Sequence, residues 1–252
     1  MSGSTPKAVS LRGVTKIYAN DLPALGPIDL EVNKGEFVSL LGPSGCGKST
    51  ALRIIAGLAE PSSGEVSVAG GARRSIGFVF QEPTLMPWAS VRDNAGLPLR
   101  LAGAAREEII ARTGDVLAQV GLAEFADAFP RELSGGMKMR VSLARALITD
   151  PDILLMDEPF AALDEITRFR LNNDLLSLWR TLGKTVIFVT HSVFESVYLS
   201  QRVVVMTARP GRIAAQFSVS PPEPRGEEFR TSAIYAGMCR EVFAALSRTG
   251  GS

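Results

Sequence analysis

The chain of 252 residues has 27 lysines and arginines against 26 aspartates and glutamates, and its net charge of +1 disfavours a protein that binds nucleic acid through a basic surface. With 46% apolar and 21% charged residues, the composition indicates a folded domain with a sizeable core and argues against a disordered chain. Two cysteines and one histidine are too few for a disulfide framework or for a site built on several histidines.

The beginning of the chain lacks the apolar core of a signal peptide, and no apolar run reaches the roughly 18–20 residues that span a bilayer. We therefore expect a cytosolic protein whose connection with a membrane, if it has one, is made through a partner.

Short apolar runs rich in β-branched residues alternate with longer helical stretches, and this alternation predicts a mostly parallel sheet covered by helices. Two of the runs, Ile153–Met156 and Val186–Val189, are almost continuously apolar, as expected of strands covered on both faces. The predicted strands are Ile28–Val32, Phe37–Leu41, Gly64–Val68, Ile76–Phe80, Ile153–Asp157, Val186–Thr190 and Val203–Thr207.

Helices are predicted over Lys48–Gly57 and, after a change of composition at Trp88, over Glu107–Val120 and Lys138–Leu147. Between residues 88 and 150 Ala, Leu, Glu and Arg dominate, and we interpret this region as a helical insertion between two parts of one sheet. Near the end, Pro221-Pro-Glu-Pro224 predicts a linker and Glu227–Leu246 a closing helix.

A phosphate-binding loop is predicted between the strand ending at Leu41 and the first helix. The stretch Gly42-Pro-Ser-Gly-Cys-Gly-Lys-Ser49 matches the pattern G-x-x-x-x-G-K-[ST] in full, and an ordinary glycine-rich turn rarely has every fixed position and both flanking elements. Glycines let successive backbone N–H groups turn toward an anion at the positive end of the helix. Lys48 is expected to reach the β- and γ-phosphates, and the Ser49 hydroxyl to ligate Mg²⁺. The nucleotide-binding residues predicted here are Gly42, Pro43, Ser44, Gly45, Cys46, Gly47, Lys48, Ser49 and Thr50.

Cys46 lies inside this loop and has two interpretations. It is either a small residue that fits beside the phosphates or a reactive regulatory thiol.

Two neighbouring carboxylates end the apolar strand Ile153–Asp157. Asp157 suits Mg²⁺, through water, as the acidic partner of a phosphate loop, and Glu158 suits activation of an attacking water. A strand that merely ends in polar residues is the alternative.

His191 ends another apolar strand, at the edge where open α/β sheets place their ligand sites. It is expected to contact the γ-phosphate, although an isolated histidine is more often structural.

Taken in order, these motifs resemble the nucleotide-binding subunit of ATP-binding cassette (ABC) transporters over roughly residues 8 to 217. Leu133-Ser-Gly-Gly-Met137 resembles the family signature, which ordinary phosphate-loop kinases and GTPases lack; by itself, Ser134 before two glycines indicates a helix N-cap. The other matching positions are Tyr18 (adenine stacking), Gln81 (the Q-loop and a Mg²⁺ ligand), Asp157 and Glu158 (the acidic strand end), Asp164 (the D-loop) and His191 (the switch histidine).

The resemblance implies an α/β ABC ATPase fold: a phosphate-loop NTPase core with a mostly parallel sheet, an N-terminal antiparallel β region and an inserted helical subdomain. It implies one domain over residues 8–240, with the core at 8–87 and 151–217, the helical subdomain at 88–150, and a proline-rich linker and short helix at 218–252.

The resemblance also implies ATP and Mg²⁺ as ligands and a head-to-tail homodimer. In that dimer Ser134, Gly135, Gly136 and Met137 of one copy meet the γ-phosphate held by the other. The implied partners are membrane permease subunits and, indirectly, an external solute-binding protein, with no nucleic acid. The implied location is peripheral, on the cytoplasmic face of the cell membrane.

Three fragments resemble the importers of nitrate, sulfonates and taurine: residues 133–140, Met86-Pro-Trp88 and Ala208-Arg-Pro-Gly-Arg-Ile213. Trp88 has core packing as an alternative, and residues 209–212 equally indicate a turn between strands. Met137 departs from the usual glutamine, but backbone N–H groups and Ser134 are expected to carry most of the phosphate contact.

Other functions remain open at this point. A soluble ABC ATPase acting on nucleic acid or ribosomes usually has long coiled-coil insertions or two cassettes, and an exporter commonly has fused membrane helices. A phosphate-loop metabolite kinase would lack the signature and the D-loop. The leading hypothesis is the energy-coupling ATPase of an importer.

Overall fold

The structure is a computed structural model that describes residues 6–19, 21–70, 76–220 and 225–249. The chain forms two compact units: residues 1–73 with 183–252, called the first unit, and residues 74–182, called the second unit. The predicted linker at 221–224 lies outside the described residues.

In chain order the elements are β1 (Lys7–Ile17), β2 (Pro23–Asn33), β3 (Phe37–Leu41), α1 (Lys48–Ile55), β4 (Ser63–Val68), β5 (Ile76–Val79), α2 (Val91–Leu101), α3 (Arg106–Gln119), α4 (Gly135–Leu147), β6 (Ile153–Asp157), α5 (Glu165–Leu182), β7 (Thr185–Thr190), α6 (Val193–Leu199), β8 (Arg202–Met206), β9 (Ile213–Ser218), α7 (Glu227–Arg230) and α8 (Ala233–Thr249).

The first unit contains an antiparallel sheet of three strands in the order β2-β1-β4. This sheet confirms the predicted antiparallel β region near the start of the chain. Strand β1 is missing from the predicted strands because its register shifts, one of them between Leu11 and Val14 around the left-handed Gly13, interrupt the alternation of apolar and polar residues.

The first unit also contains β3 between the parallel strands β7 and β8, and β9 lies antiparallel to β8. Every residue of β3 and β7 is buried, as expected of strands whose sequences are mostly apolar. Strand β9 is not among the predicted strands because its Ala214, Ala215 and Gln216 carry little β-strand preference. The mostly parallel α/β class is confirmed.

The end of the first unit holds two helices where one was predicted. Helix α7 stops at Arg230, and Ser232 starts α8 by accepting a hydrogen bond from the backbone N–H of Tyr235 at 3.1 Å. Arg225 is buried and donates to the backbone oxygens of Tyr198 (2.7 Å) and Ser200 (3.0 Å). These contacts attach the C-terminal helices to α6.

The second unit pairs β5 with β6 in parallel and packs α2 against α3 and α4. The predicted helices 107–120 and 138–147 are confirmed as α3 and α4, and α4 begins earlier, at Gly135. Helices α2 and α5 are not among the predicted helices. Gly96 and Pro98 within α2 are poor helix formers, and Asn172, Asn173 and Asp174 within α5 also favour other conformations.

Within the described ranges, no helix is both long and apolar enough to cross a membrane.

Candidate functional site

The predicted site residues are divided between the two units, and each unit is described by itself. The first unit holds the phosphate loop, Tyr18 and His191; the second holds Gln81, residues 134–137, Asp157, Glu158 and Asp164.

The phosphate loop connects β3 to α1, and glycine is required at two of its positions. Gly45 and Gly47 have φ angles of 75° and 97°, a region that residues with a side chain rarely adopt. At Gly47 a Cβ atom would also stand 2.6 Å from the backbone oxygen of Ala24. These positions produce the curled backbone that the sequence pattern predicts.

The amine of Lys48 lies within the loop. The side chain is 4% exposed, and its Nζ donates to the backbone oxygens of Gly42 at 2.8 Å and Pro43 at 3.0 Å. Helix α1 starts at Gly47 without a side-chain cap and without an acidic residue in its first turn. A buried ammonium and an uncapped helix N-terminus together suit a bound polyphosphate, because both favour negative charge.

The thiol of Cys46 is buried beside this amine, with Sγ 3.9 Å from Lys48 Nζ. Burial raises the pKa of the Cys46 thiol, and the charge of Lys48 only partly opposes that effect. The thiol is therefore mostly protonated at neutral pH, which favours a small packing residue over a reactive thiol.

A turn between β8 and β9 lies against the phosphate loop. Gly211 contacts the backbone oxygen of Cys46, and Arg209 Nε donates to the backbone oxygen of Gly45 at 3.4 Å. The Gly211 backbone also donates to Ala24 O (3.1 Å) and accepts from Gly26 N (3.0 Å). The sequence indicated a turn at 209–212, and this is confirmed, but no local pattern indicated its contact with the loop.

Tyr18 lies just beyond β1, beside the start of α1. Its hydroxyl is 3.3 Å from Thr50 Oγ1, and the amine of Lys16 is 5.5 Å from the ring centroid. The ring is more than a third exposed, which leaves part of its surface accessible for stacking on a planar group.

His191 follows β7 directly and is exposed. Neighbouring side chains hold the turn that carries it: Thr190 Oγ1 donates to Glu195 Oε2 at 2.5 Å and accepts from the backbone N–H of Ser192 at 2.9 Å. Thr190 and Glu195 are both buried, so the backbone of the histidine is held in place while its side chain reaches solvent.

In the second unit the two acidic residues have different environments. Asp157 is the buried last residue of β6, whereas Glu158 is half-buried and has a φ of 46°. A non-glycine residue in this left-handed region costs about 1–3 kcal/mol, and such strain clusters at functional sites. The observation favours distinct roles for the two carboxylates over a simple polar strand end.

The predicted helix cap at the signature is confirmed. Ser134 Oγ accepts a hydrogen bond from the backbone N–H of Met137 at 3.3 Å at the start of α4. A Cβ atom at Gly136 would stand 2.7 Å from Thr167 Cγ2, so the close packing of α4 on α5 requires glycine there. Position 137 supplies a backbone amide to the cap, and that amide is present in methionine and glutamine alike.

The remaining predicted residues of the second unit are exposed. Gln81 lies two residues beyond β5, and Asp164 starts α5 by accepting from Thr167 N at 2.9 Å. Hydrogen bonding by Thr167 lowers the pKa of Asp164. Trp88 is 76% exposed, which excludes the core-packing interpretation of this residue within the unit.

No group of three or more His, Cys, Asp or Glu residues in the described part of the chain could hold a metal ion by itself. The predicted Mg²⁺ ligands are instead a hydroxyl (Ser49), an amide (Gln81) and one carboxylate (Asp157). This oxygen set fits Mg²⁺, which commonly takes one or two carboxylates and completes its shell with water and substrate phosphates.

Comparison with known proteins gives consistent results. The family described as ABC transporter matches residues 25–161. The chain is similar to the taurine import ATP-binding protein TauB of Rhizobium johnstonii (49% identical over 92% of each chain). It is also similar to the aliphatic sulfonates import ATP-binding protein SsuB 1 of Xanthomonas axonopodis pv. citri (47% identical over 88% of this chain and 90% of the relative). A solved dimeric ATP-binding cassette in a post-hydrolysis state with ADP and Pi matches with a TM-score of 0.74, 35% identity, and coverage of 84% of this chain and 99% of that one.

Proposed function

The chain belongs to the ABC transporter family and is an ATP hydrolase of an importer. From this premise we propose that it energises uptake of a small sulfonate-, taurine- or nitrate-like solute. The observation that carries the substrate class is the near-full-length similarity to relatives named for taurine and aliphatic sulfonate import.

ATP binding by this chain rests on the phosphate loop. We propose that Lys48 and the loop amides, from Gly42 to Thr50, hold the β- and γ-phosphates, and that Tyr18 stacks on the adenine. Ser49, Gln81 and, through water, Asp157 would hold Mg²⁺, which neutralises phosphate charge when bound. The uncapped start of α1 and the buried amine support this assignment.

The hydrolytic roles are assigned by position and conformation. Glu158 polarises the attacking water, and its strained backbone supports a functional constraint on that carboxylate. His191 contacts the γ-phosphate from a turn that Thr190 and Glu195 hold. Phosphoryl transfer to water depends on positioning and charge neutralisation, and these residues supply the positioning.

Two copies of the chain would form the working ATPase. Ser134, Gly135, Gly136 and Met137 of one copy complete the phosphate site of the other, and Asp164 lies at the same contact. ATP then holds the closed dimer together and hydrolysis releases it. The similarity to a dimeric cassette with ADP and Pi supports this arrangement.

The permease contact is proposed for Glu82–Trp88, here called the docking segment. The exposed indole of Trp88 supports this assignment, since a large exposed apolar side chain suits a partner surface. Docking there would place the chain on the cytoplasmic face of the membrane, with an external solute-binding protein acting through the permease.

The experiment is purification of the chain with its permease from the cells that make it, followed by ATPase assays in proteoliposomes with the external binding protein. We expect taurine, an alkylsulfonate or nitrate to stimulate hydrolysis several-fold and a dipeptide to have no effect. Stimulation by a sugar or an α-amino carboxylic acid, with none of the three solutes active, would disprove the substrate class and leave the ATPase assignment intact.

A further inference from the structure

The docking segment and the signature are joined within the second unit by one arginine. Arg145 lies on the signature helix α4, and its guanidinium donates to Pro83 O at 2.7 Å, Thr84 O at 2.9 Å and Thr84 Oγ1 at 3.0 Å. The three acceptors belong to two consecutive residues of the docking segment. Both terminal nitrogens of the guanidinium take part, Nη1 toward Thr84 O and Nη2 toward Pro83 O and Thr84 Oγ1, and the single nitrogen of a lysine does not reproduce this planar fork.

The conformation of Thr84 shows that this contact is specific. Its φ of 46° is rare for any residue with a side chain, and rarer for a β-branched one. Such a backbone persists only where its surroundings hold it. Arg145 binds both the backbone and the side-chain oxygen of that residue, so it holds the strained turn.

Arg145 has no acidic partner among the described residues. Burial of the guanidinium lowers the pKa of Arg145, which reflects the cost of removing a charge from water. A partly buried cation without a carboxylate depends on its carbonyl acceptors, so loss of the docking-segment contact would leave the charge poorly solvated.

Two further contacts connect the neighbouring elements. A Cβ atom at Gly77 would stand 2.5 Å from Ala146 O, so β5 and the end of α4 touch backbone to backbone. On the other side, the buried Asn94 accepts from Met86 N at 2.8 Å and donates to Met86 O at 3.2 Å. The docking segment is therefore attached to α4 at one end and to α2 at the other.

We propose that Arg145 is a positioning residue that fastens the docking segment to the signature helix, so that a displacement of one displaces the other. The inference rests on the proposed roles of the signature and the docking segment. Its consequence is direct mechanical coupling inside the second unit. When the signature engages a nucleotide, the surface offered to the permease moves with it, and a permease that pulls on the segment moves the signature.

The test is hydrogen exchange of the full chain, measured by mass spectrometry, in R145K and in R112K as the matched control. Arg112 also donates from a half-exposed position to a carbonyl at the end of α4, Ile148 O at 2.7 Å, but does not reach the docking segment. Without nucleotide, we expect R145K to raise exchange over residues 82–88 about tenfold, because one ammonium nitrogen cannot occupy the positions of both guanidinium nitrogens and some of the three bonds are lost. R112K should leave those residues unchanged.

The second arm adds ATP to both variants in an E158Q background. In E158Q and in E158Q/R112K, we expect ATP to change exchange over residues 134–140 and 82–88 together. In E158Q/R145K, the signature response should persist and the response of 82–88 should fall below half.

Unchanged exchange over 82–88 in nucleotide-free R145K, or a full ATP response of that segment in E158Q/R145K, would overturn the proposal. If ATP leaves residues 134–140 unaffected even in the E158Q parent, the proposed role of the signature fails. The nucleotide-free comparison then still decides whether Arg145 holds the docking segment.

Discussion

Gly211 lies so close to Cys46 that a Cβ atom on the glycine would stand 1.8 Å from the cysteine's backbone oxygen. The turn between β8 and β9 thus packs directly against the backbone of the phosphate loop. Only a residue without a side chain can occupy position 211.

The Gly211→Ala substitution should therefore displace the phosphate loop. We expect a loss of about 1–3 kcal/mol in the free energy of unfolding from overpacking, together with weaker ATP binding. Thermal unfolding and titration with a fluorescent ATP analogue measure the two effects. Gly237→Ala, in helix α8 with no atom closer than 4.0 Å to the new Cβ, is the control: it should leave ATP binding unchanged and raise the free energy of unfolding by up to about 1 kcal/mol, because alanine is the better helix former. Equal ATP affinity in the two variants would show that the turn does not shape the loop.

Lys48→Ala should abolish nucleotide binding. Loss of the buried amine removes a cation from the loop and leaves the carbonyls of Gly42 and Pro43 without their donor. We expect ATP affinity to fall about a hundredfold or more, as for loss of charge-assisted hydrogen bonds. Isothermal titration calorimetry measures this, with the exposed Lys34→Ala as the control. Undiminished ATP binding in Lys48→Ala would show that the phosphates bind at another site.

Glu158→Gln should separate binding from hydrolysis. Glutamine preserves the size of the side chain but cannot act as a base, so ATP affinity should persist while turnover falls at least about a hundredfold. With ATP, size-exclusion chromatography should show a stable dimer. Glu165→Gln changes an exposed carboxylate at the start of α5 and should hydrolyse ATP normally. Near-normal turnover in Glu158→Gln would remove Glu158 from the role of catalytic base.

His191→Ala should lower kcat with little effect on ATP affinity. The side chain reaches solvent from a fixed turn, and a single positioned donor is commonly worth about a hundredfold in rate. His191→Gln retains a donor and should lose less. Because this is the only histidine of the chain, its imidazole proton signals in NMR spectra are assigned without ambiguity. We expect those signals to shift when ATP is added to Glu158→Gln, and a signal indifferent to ATP contradicts the assignment.

Alkylation of Cys46 should be slow at neutral pH and should block ATP binding. Burial raises the pKa of this thiol, so the reactive thiolate forms only at a pH above that of an ordinary cysteine. The rate of iodoacetamide modification should therefore keep rising with pH beyond the point where a free cysteine levels off, and ATP should protect. The measurement is made in the Cys239→Ser variant, so that Cys46 is the only thiol that can react. This is needed because Cys239 is also buried and its thiol pKa is also raised. Full ATP affinity after complete modification of Cys46 would refute this.

The predictable parts of the site are the local ones. The phosphate loop, the acidic residues at the end of β6 and the cap at Ser134 follow from residue types at short spacings, because glycine conformation, strand burial and helix capping act within a few residues. Strand β1, which was not predicted, shows the limit of the same reasoning. Its bulges interrupt the alternation of apolar and polar residues by which a strand is identified.

The sequence alone determined the α/β class, the phosphate loop and the resemblance to ABC ATPases. Only the tertiary structure decided that Gly211 lies against Cys46 and that Arg145 holds Thr84, 61 residues away along the chain. The physical reason is that such contacts are made between distant segments. In the sequence, a glycine required for close approach cannot be distinguished from a glycine in any turn. An arginine that donates to backbone carbonyls leaves no pattern either, because it needs no acidic residue at a characteristic spacing.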